Sequence, residues 1–303
     1  MSETIAAAAL DPAQGAPAAG PATPRGVWRT LRRRPLFWVC AVVLALLALV
    51  AVVPQAFAGL FGQPDPRVCD LSASARPPGG DHVFGTDVQG CDVFANVVYG
   101  TRASLTVGVL CTVIALLVAL VLGTAAGFYG GFADRLIARL TDVFLGFPFL
   151  LGAVVVLTSI GTRSAVTVAL VLALFSWPTM ARLVRSSVRA VRDAPYVEAA
   201  RAMGLRDRRI IARYVLPNSI GPVLAVATTM VGGVIVSEST LTFLGLGLRA
   251  PSISWGLQLS SAQAYFQTSP HMLVFPSLFL TVTVLAMITL GDVLRDTLDP
   301  RSR

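Results

Sequence analysis

The sequence predicts an all-α polytopic membrane protein with six transmembrane helices, and three observations carry that prediction. Hydrophobic residues make up 55% of the chain and charged residues only 13%, with a mean hydropathy of +0.73. A soluble chain of 303 residues needs far more polar surface than this. Six apolar runs, each close to the ~20 residues that cross a bilayer core, alternate with polar segments. Finally, the cations are sided. With both ends of the chain inside, the inner segments hold 19 of the 24 arginines and the outer segments five (Arg67, Arg76, Arg102, Arg163 and Arg249), the asymmetry of a positive-inside topology.

Taken in order, residues 1–35 read as a disordered cytoplasmic tail, rich in Ala, Pro and Gly to about residue 24 and then basic through Arg25, Arg29, Arg32, Arg33 and Arg34. Residues 36–58 read as the first transmembrane helix. The competing reading is a secretory signal with Ala56-Phe57-Ala58 as its cleavage pattern, but the run from Leu36 to Val53 is longer than an ordinary signal core of about 7–15 residues. Residues 59–102 form a polar extracytoplasmic loop. The five-helix core, 103–292, then follows. Its second span covers about 105–127, with Gly123 and Gly127 at the spacing that permits close helix contact or simply faces lipid. A short amphipathic link, 128–142, leads to a third span at about 143–160, which Pro148 should kink. The fourth span, about 165–180, carries Pro178 near its inner end.

The loop 181–218 is the most charged internal stretch, with nine arginines from Arg182 to Arg213. Within it, Asp193 is placed to cap a helix opened by Pro195 and ended by Gly204. Glu198, Ala199 and Ala200 would sit mid-helix, where the paired alanines leave a low surface for close approach. Pro217 opens a fifth span of about 220–236. That span leads to Glu238, an acidic residue embedded among apolar ones. Such a carboxylate is either a structural partner near the far interface or part of a pore or gate. An outer loop or short interfacial helix at 249–270 precedes the sixth span, about 272–290. Residues 293–303 are a charged cytoplasmic end, either braced against the loop 181–218 or solvated.

The composition excludes several function classes. A strong positive balance often points to nucleic acid, but here the arginines cluster at span ends, where topology accounts for them. A phosphate-binding loop of the Gly-x-x-x-x-Gly-Lys type is impossible in a chain without lysine. Two histidines (His82 and His271) and three glutamates leave little material for a metal centre or an acid–base pair. Neither a Ser/His/Asp constellation nor Gly-x-Ser-x-Gly occurs. The chain reads as a non-catalytic membrane subunit with no cofactor and no metal of its own.

Three stretches resemble one family. Glu198-Ala199-Ala200, then Gly204, then Tyr214 at an apolar position and Leu216-Pro217 resemble the Glu-Ala-Ala loop of ABC-importer permeases. Phe84-Gly85-Thr86-Asp87 with Gly90 and Asp92, followed by Gly100-Thr101-Arg102-Ala103-Ser104-Leu105, is similar to the segment before the second helix in the dipeptide, oligopeptide and nickel branch. Ser237-Glu238-Ser239 through Gly247, and the C-terminal Gly291-Asp292 to Arg301, look like the same branch. The resemblance covers about residues 81–301. It implies a type I ABC importer permease fold with a cytoplasmic coupling helix, in the bacterial plasma (inner) membrane. It also implies a sister permease, two ATPase subunits that bind the ATP and Mg, and an extracytoplasmic solute-binding protein. The implied ATPase-docking residues are Glu198, Ala199, Ala200, Arg201, Gly204, Leu216 and Pro217, with Arg201 or a partner's arginine facing Glu198. An ion-driven transporter or channel, or a membrane scaffold, is the alternative outside this class; dependence on ATP separates them. One departure from the branch stands out: Cys91 replaces the usual Arg between Gly90 and Asp92. Cys69 shares its loop, which faces an oxidising compartment, so the two are expected either to bridge or to remain free thiols.

Overall fold

The computed structural model describes residues 24–61, 63 and 65–298. The expected disordered tail up to residue 23 and the last five residues lie outside them. Among the described residues no strand forms. The chain is a set of helices: α1 (Pro24–Arg33), α2 (Pro35–Val52), α3 (Pro54–Phe61), α4 (Val93–Tyr129), α5 (Gly131–Gly146), α6 (Phe149–Ser159), α7 (Ala165–Arg192), α8 (Pro195–Ala202), α9 (Asp207–Ile210), α10 (Leu216–Phe243), α11 (Trp255–Ala262) and α12 (His271–Leu298). Among the described residues five helical runs are long and apolar enough to cross a membrane, six when the bent pair α5–α6 is counted as one span.

The basic flank is not a tail: Pro24–Arg33 is an amphipathic helix. Its Leu31 is buried, the Arg32 guanidinium lies 4.9 Å from the centre of the Trp28 ring, and Arg34 pairs with Asp296 of α12 at 3.2 Å. The first span is shorter than the 36–58 expected. Proline lacks the N–H that would continue the ladder and pushes the residue before it out of the helical region. Val53 accordingly leaves the helical region (φ −126°, ψ 61°), and a separate helix starts at Pro54.

The second helix begins inside the stretch assigned to the outer loop. Asp92 caps it by accepting from the Ala95 amide at 2.9 Å, and 37 residues follow without a break. The third span differs most. Residues 131–146 are helical, not a link, and Phe147 before Pro148 is extended (φ −86°, ψ 131°). The chain therefore turns by 83° into α6. At 1.5 Å per residue the 11 residues of α6 reach only about 17 Å. The fourth span runs on past residue 180 as one helix to Arg192, with Pro178 inside it. The sixth continues to Leu298, which makes most of the expected C-terminal tail helical.

Pro217 does not open the fifth span. A helical run already exists from Asp207, and residues Ile211–Val215 form a π turn in which the Leu216 amide donates to the Ile211 carbonyl. Widening the helix just ahead of a proline relieves the clash between its ring and the preceding turn. The result is one 37-residue span, Asp207–Phe243.

The core is built on α4 and α10. α4 packs along α7, and α10 packs against α12 and α4. Gly123 and Gly127 make the α4–α7 approach possible, because a Cβ at either would lie under 3 Å from the Ala181 or Arg185 carbonyl and from Val184 or Val188. The small residues are therefore a packing face and not a lipid face.

Candidate functional site

At one end of the bundle the arginines of α7 continue the helix at a spacing that keeps them near one face: Arg182, Arg185, Arg189 and Arg192. Arg185 and Arg189 both bind Asp134 of α5, and Arg182 binds Asp142. Arg192 donates to the Gly127 carbonyl at the end of α4 (3.2 Å). Together they clasp the bent α5 and the end of α4 onto α7. A sequence reading that ended the span at residue 180 missed this clasp. The i, i+3, i+7, i+10 spacing of these arginines was the available signal for a continuing helix.

α8 follows directly. Asp193 does not cap it. Its carboxylate turns back to Arg192 (3.0 Å), which holds it below the usual carboxylate range. The N-cap is Ala194, extended ahead of Pro195, with no side-chain bond. Gly204 does end the helix. At φ +77° it lets its amide donate to the Arg201 carbonyl and the Leu205 amide to the Ala200 carbonyl (2.9 and 3.2 Å), the paired bonds of a Schellman cap.

Val197 and Ala200 are fully buried, in one cluster with Val184, Val188 and Ile210, and Phe128 and Leu205 pack against the same cluster. Ala200 therefore anchors α8 to its own subunit, and the exposed surface differs from the paired alanines expected. It consists of Tyr196, Glu198, Ala199, Arg201, Ala202 and Met203, with Met203 69% exposed. Arg201 does not pair with Glu198. Its guanidinium lies 5.4 Å from the centre of the Phe128 ring, a cation–π contact. Among the described residues Glu198 has no ion-pair partner. Leu216 and Pro217 follow the π turn, at the start of α10.

The other end handles charge in the opposite way. Glu238 is 0% exposed. The Thr242 hydroxyl donates to its Oε1 (2.9 Å), and the Ser104 and Ser239 hydroxyls donate to Oε2 (3.4 and 3.3 Å). Those hydroxyls in turn accept from backbone: Leu248 N to Thr242 Oγ1 (3.0 Å), and Trp255 N to Ser104 Oγ (3.4 Å). One carboxylate thus ties α4, α10, the turn after α10 and the start of α11. Above it, Cys69 and Cys91 are joined by a disulfide. The two histidines are structural there. His82 Nδ1 lies 2.7 Å from Asp92 Oδ2, and His271 Nε2 lies 3.0 Å from the Thr86 carbonyl oxygen.

Between these ends, α5–α6, α7 and α10 enclose a groove of ≈ 460 Å³ with no charged side chain in its lining. Its polar groups are Ser176, Thr179, Thr229 and Ser237, set among phenylalanines and Met230.

This combination of a clasped bundle of apolar helices and a projecting, glycine-capped helix defines a class. The chain belongs to the family described as binding-protein-dependent transport system inner membrane component, which matches residues 119–303. It is a multi-pass membrane permease subunit of an ABC importer. Residues 25–78 match the N-terminal TM domain of oligopeptide transport permease C, which places it in the peptide branch. The chain is 36% identical over 91% of its length, and 92% of the relative's, to the glutathione transport system permease protein GsiD of Pectobacterium atrosepticum. It is 35% identical to the dipeptide transport system permease protein DppC of Alkalihalophilus pseudofirmus, over 92% and 90% of the two chains. Among solved structures, an inward-facing MetNI methionine ABC transporter aligns with a TM-score of 0.53 at 19% identity, over 66% of this chain and 95% of that one. An amino acid ABC transporter structure gives 0.52 at 18% identity, over 66% and 92%. At such identity the likeness is one of fold: the type I importer permease.

Proposed function

We propose that this chain is one of two transmembrane subunits of an ATP-driven importer for peptides or similar small solutes, with both termini in the cytoplasm. A sister permease forms the pathway with it. Two ATPase subunits, which bind the ATP and Mg, dock from the cytoplasm, and an extracytoplasmic binding protein delivers solute. The chain itself is non-catalytic. The relatives named for glutathione and dipeptide transport support small peptides as the solute.

The observation that carries this reading is α8. It is anchored from below by Val197 and Ala200, and beside Ala199, Ala202 and Met203 it projects Glu198, which has no ion-pair partner among the described residues. An isolated carboxylate on a small-residue surface suits a cationic group on a partner. Anchoring on two residues with no side chain longer than valine makes the helix a stiff joint. Swinging a transporter from 99% in one state to 99% in the other takes about 5.5 kcal/mol of differential binding, and ATP binding delivered through α8 is the source proposed here. The groove between α7 and α10 is this subunit's share of the pathway. Its uncharged, hydroxyl-bearing wall passes solutes of varied side chain without trapping one.

The test is mass spectrometry of what co-purifies with the chain in mild detergent. The expected result is an ATPase carrying a phosphate-binding loop together with a second six-span permease. A chain that ran alone, or only with copies of itself, in several detergents would overturn the reading.

A further inference from the structure

A cavity of ≈ 270 Å³ opens between the disulfide-bearing loop and α11, far from α8. Its lining includes Asp87, Gln89, Asn96, Ser254 and Gln258, and it contains no Arg, Lys or His. Three of the lining residues, Asp87, Asn96 and Gln258, carry side-chain oxygen acceptors. Asp87 is held by its own loop: its Oδ1 accepts from the Gln89 and Cys91 amides (2.8 and 2.9 Å). Burial nonetheless pushes its carboxyl up, as expected of a charge with no counter-ion. Gln258 donates Nε2 to the Asn96 carbonyl at 2.8 Å, which fixes the orientation of the amide. Its Oε1 is then buried with no hydrogen-bond partner. Asn96 donates its own Nδ2 to the Asp92 carbonyl (3.0 Å), which leaves its Oδ1 to accept. A buried, unsatisfied acceptor is costly to keep, so a protein that retains one in a lining that also holds a carboxylate without a counter-ion is arranged to receive donors.

The placement of Gln258 is itself built. A Cβ on Gly100 would lie 2.8 Å from Gln258 Nε2, so the bare backbone of α4 is what allows the amide to lie against it.

We propose that this cavity is a binding site for a protonated primary amine. Such a group carries three N–H donors and one positive charge, which match one carboxylate and two amide oxygens. A hard divalent cation is a poorer fit, because it takes six or more oxygens and usually several carboxylates. The amine belongs either to the N-terminus of a passing solute or to a lysine of a protein docked on this face. The chemistry at the site is the same for both.

The test is saturation-transfer NMR on the full chain, in the complex with which it purifies, embedded in nanodiscs. The probes are alaninamide, a primary ammonium without a carboxylate, and N-acetylalaninamide. The expected result is saturation of alaninamide alone, reduced about tenfold or more in Asp87→Asn and Gln258→Met. Asparagine at 87 keeps an acceptor for the Gln89 and Cys91 amides, and Gln258→Met leaves that loop untouched, so at least one variant reports on binding apart from folding. Displacement of alaninamide by free-amine peptides identifies the solute as the source. Displacement by solute-free binding protein identifies a docked lysine. An equal signal from the acetylated probe, or an undiminished one in Asp87→Asn, overturns the proposal.

Discussion

Glu238 and Glu198 are both glutamates in a chain that has only three, and the structure treats them in opposite ways. Glu238 is withdrawn from solvent and satisfied by hydroxyls from α4 and α10, whose oxygens accept backbone amides of neighbouring elements in turn. Glu198 is exposed and pairs with no described cation, although arginines are the commonest charged neighbours at that end. A buried carboxylate with several donors fixes the elements that supply them, because moving any one of them leaves a charge short of partners. An exposed carboxylate on an anchored helix costs little to keep and fixes nothing within its own subunit. One end is fixed by its own subunit, and the other is left open.

Four substitutions would break or sharpen that contrast, and they differ in size. Glu238→Ala removes the centre of the hydroxyl cluster and leaves a void. It should cost about 3–5 kcal/mol, read as a large drop in the thermal midpoint in nanodiscs, with Glu238→Gln intermediate. An unchanged midpoint would mean that the cluster is not the brace described. Replacing Cys69 and Cys91 by Ser opens a loop of 22-residue separation, worth about 3 kcal/mol on the chain-entropy model. The effect should be local, seen as faster amide exchange at residues 69–91 while exchange in α4 beyond its first turns is unaltered. Gly204→Val forces a branched residue to φ +77° and should cost about 1–2 kcal/mol. It should fray the end of α8, detectable as raised proteolysis near Met203, and lower coupled uptake. The smallest stability effect belongs to Glu198→Arg, within about 0.5 kcal/mol because the side chain is exposed. ATP hydrolysis in that variant should nevertheless come apart from uptake. Normal uptake by both the Gly204 and Glu198 variants would remove α8 from the mechanism proposed.

How much of this was legible in the sequence depends on the scale of the feature. The number of apolar spans follows from bulk hydropathy, which is summed over many residues and so survives local error. Gly204 was legible because a helix end in that setting calls for a residue free to take positive φ. Boundaries were not. Hydropathy alone ends α7 where the arginines begin, but a helix tolerates arginine on a face that meets Asp134, and only the three-dimensional pairing shows it. Pro148 signals a bend without its angle, and 83° is the difference between a kinked span and two helices. At Pro217 the standard reading, a helix start, failed because a π turn removes the clash that makes proline a breaker. In α8 the motif marked a helix but not its orientation. Ala199 and Ala200 are adjacent in sequence, yet consecutive residues on a helix point about 100° apart, so one faces outward and its neighbour packs inward.

The position of α8 in the chain has a mechanical consequence. It is strung between two long helical rods, with α7 arriving from one side and the Asp207–Phe243 run leaving on the other. Each rod is continuous from the basic end into the apolar interior. A short crossbar fixed between two such rods cannot be displaced without tilting them. The α7 residues that line the groove, Phe175 to Met180, lie about 18–26 Å along the helix from Arg192 at 1.5 Å per residue, so a tilt of about 5° at α8 moves them by about 2 Å. That is comparable to the radius of a methyl group, and it would be delivered at the groove that α7 and α10 line together. A push too small to rearrange any single contact at the surface would thus arrive at the groove as a change of bore.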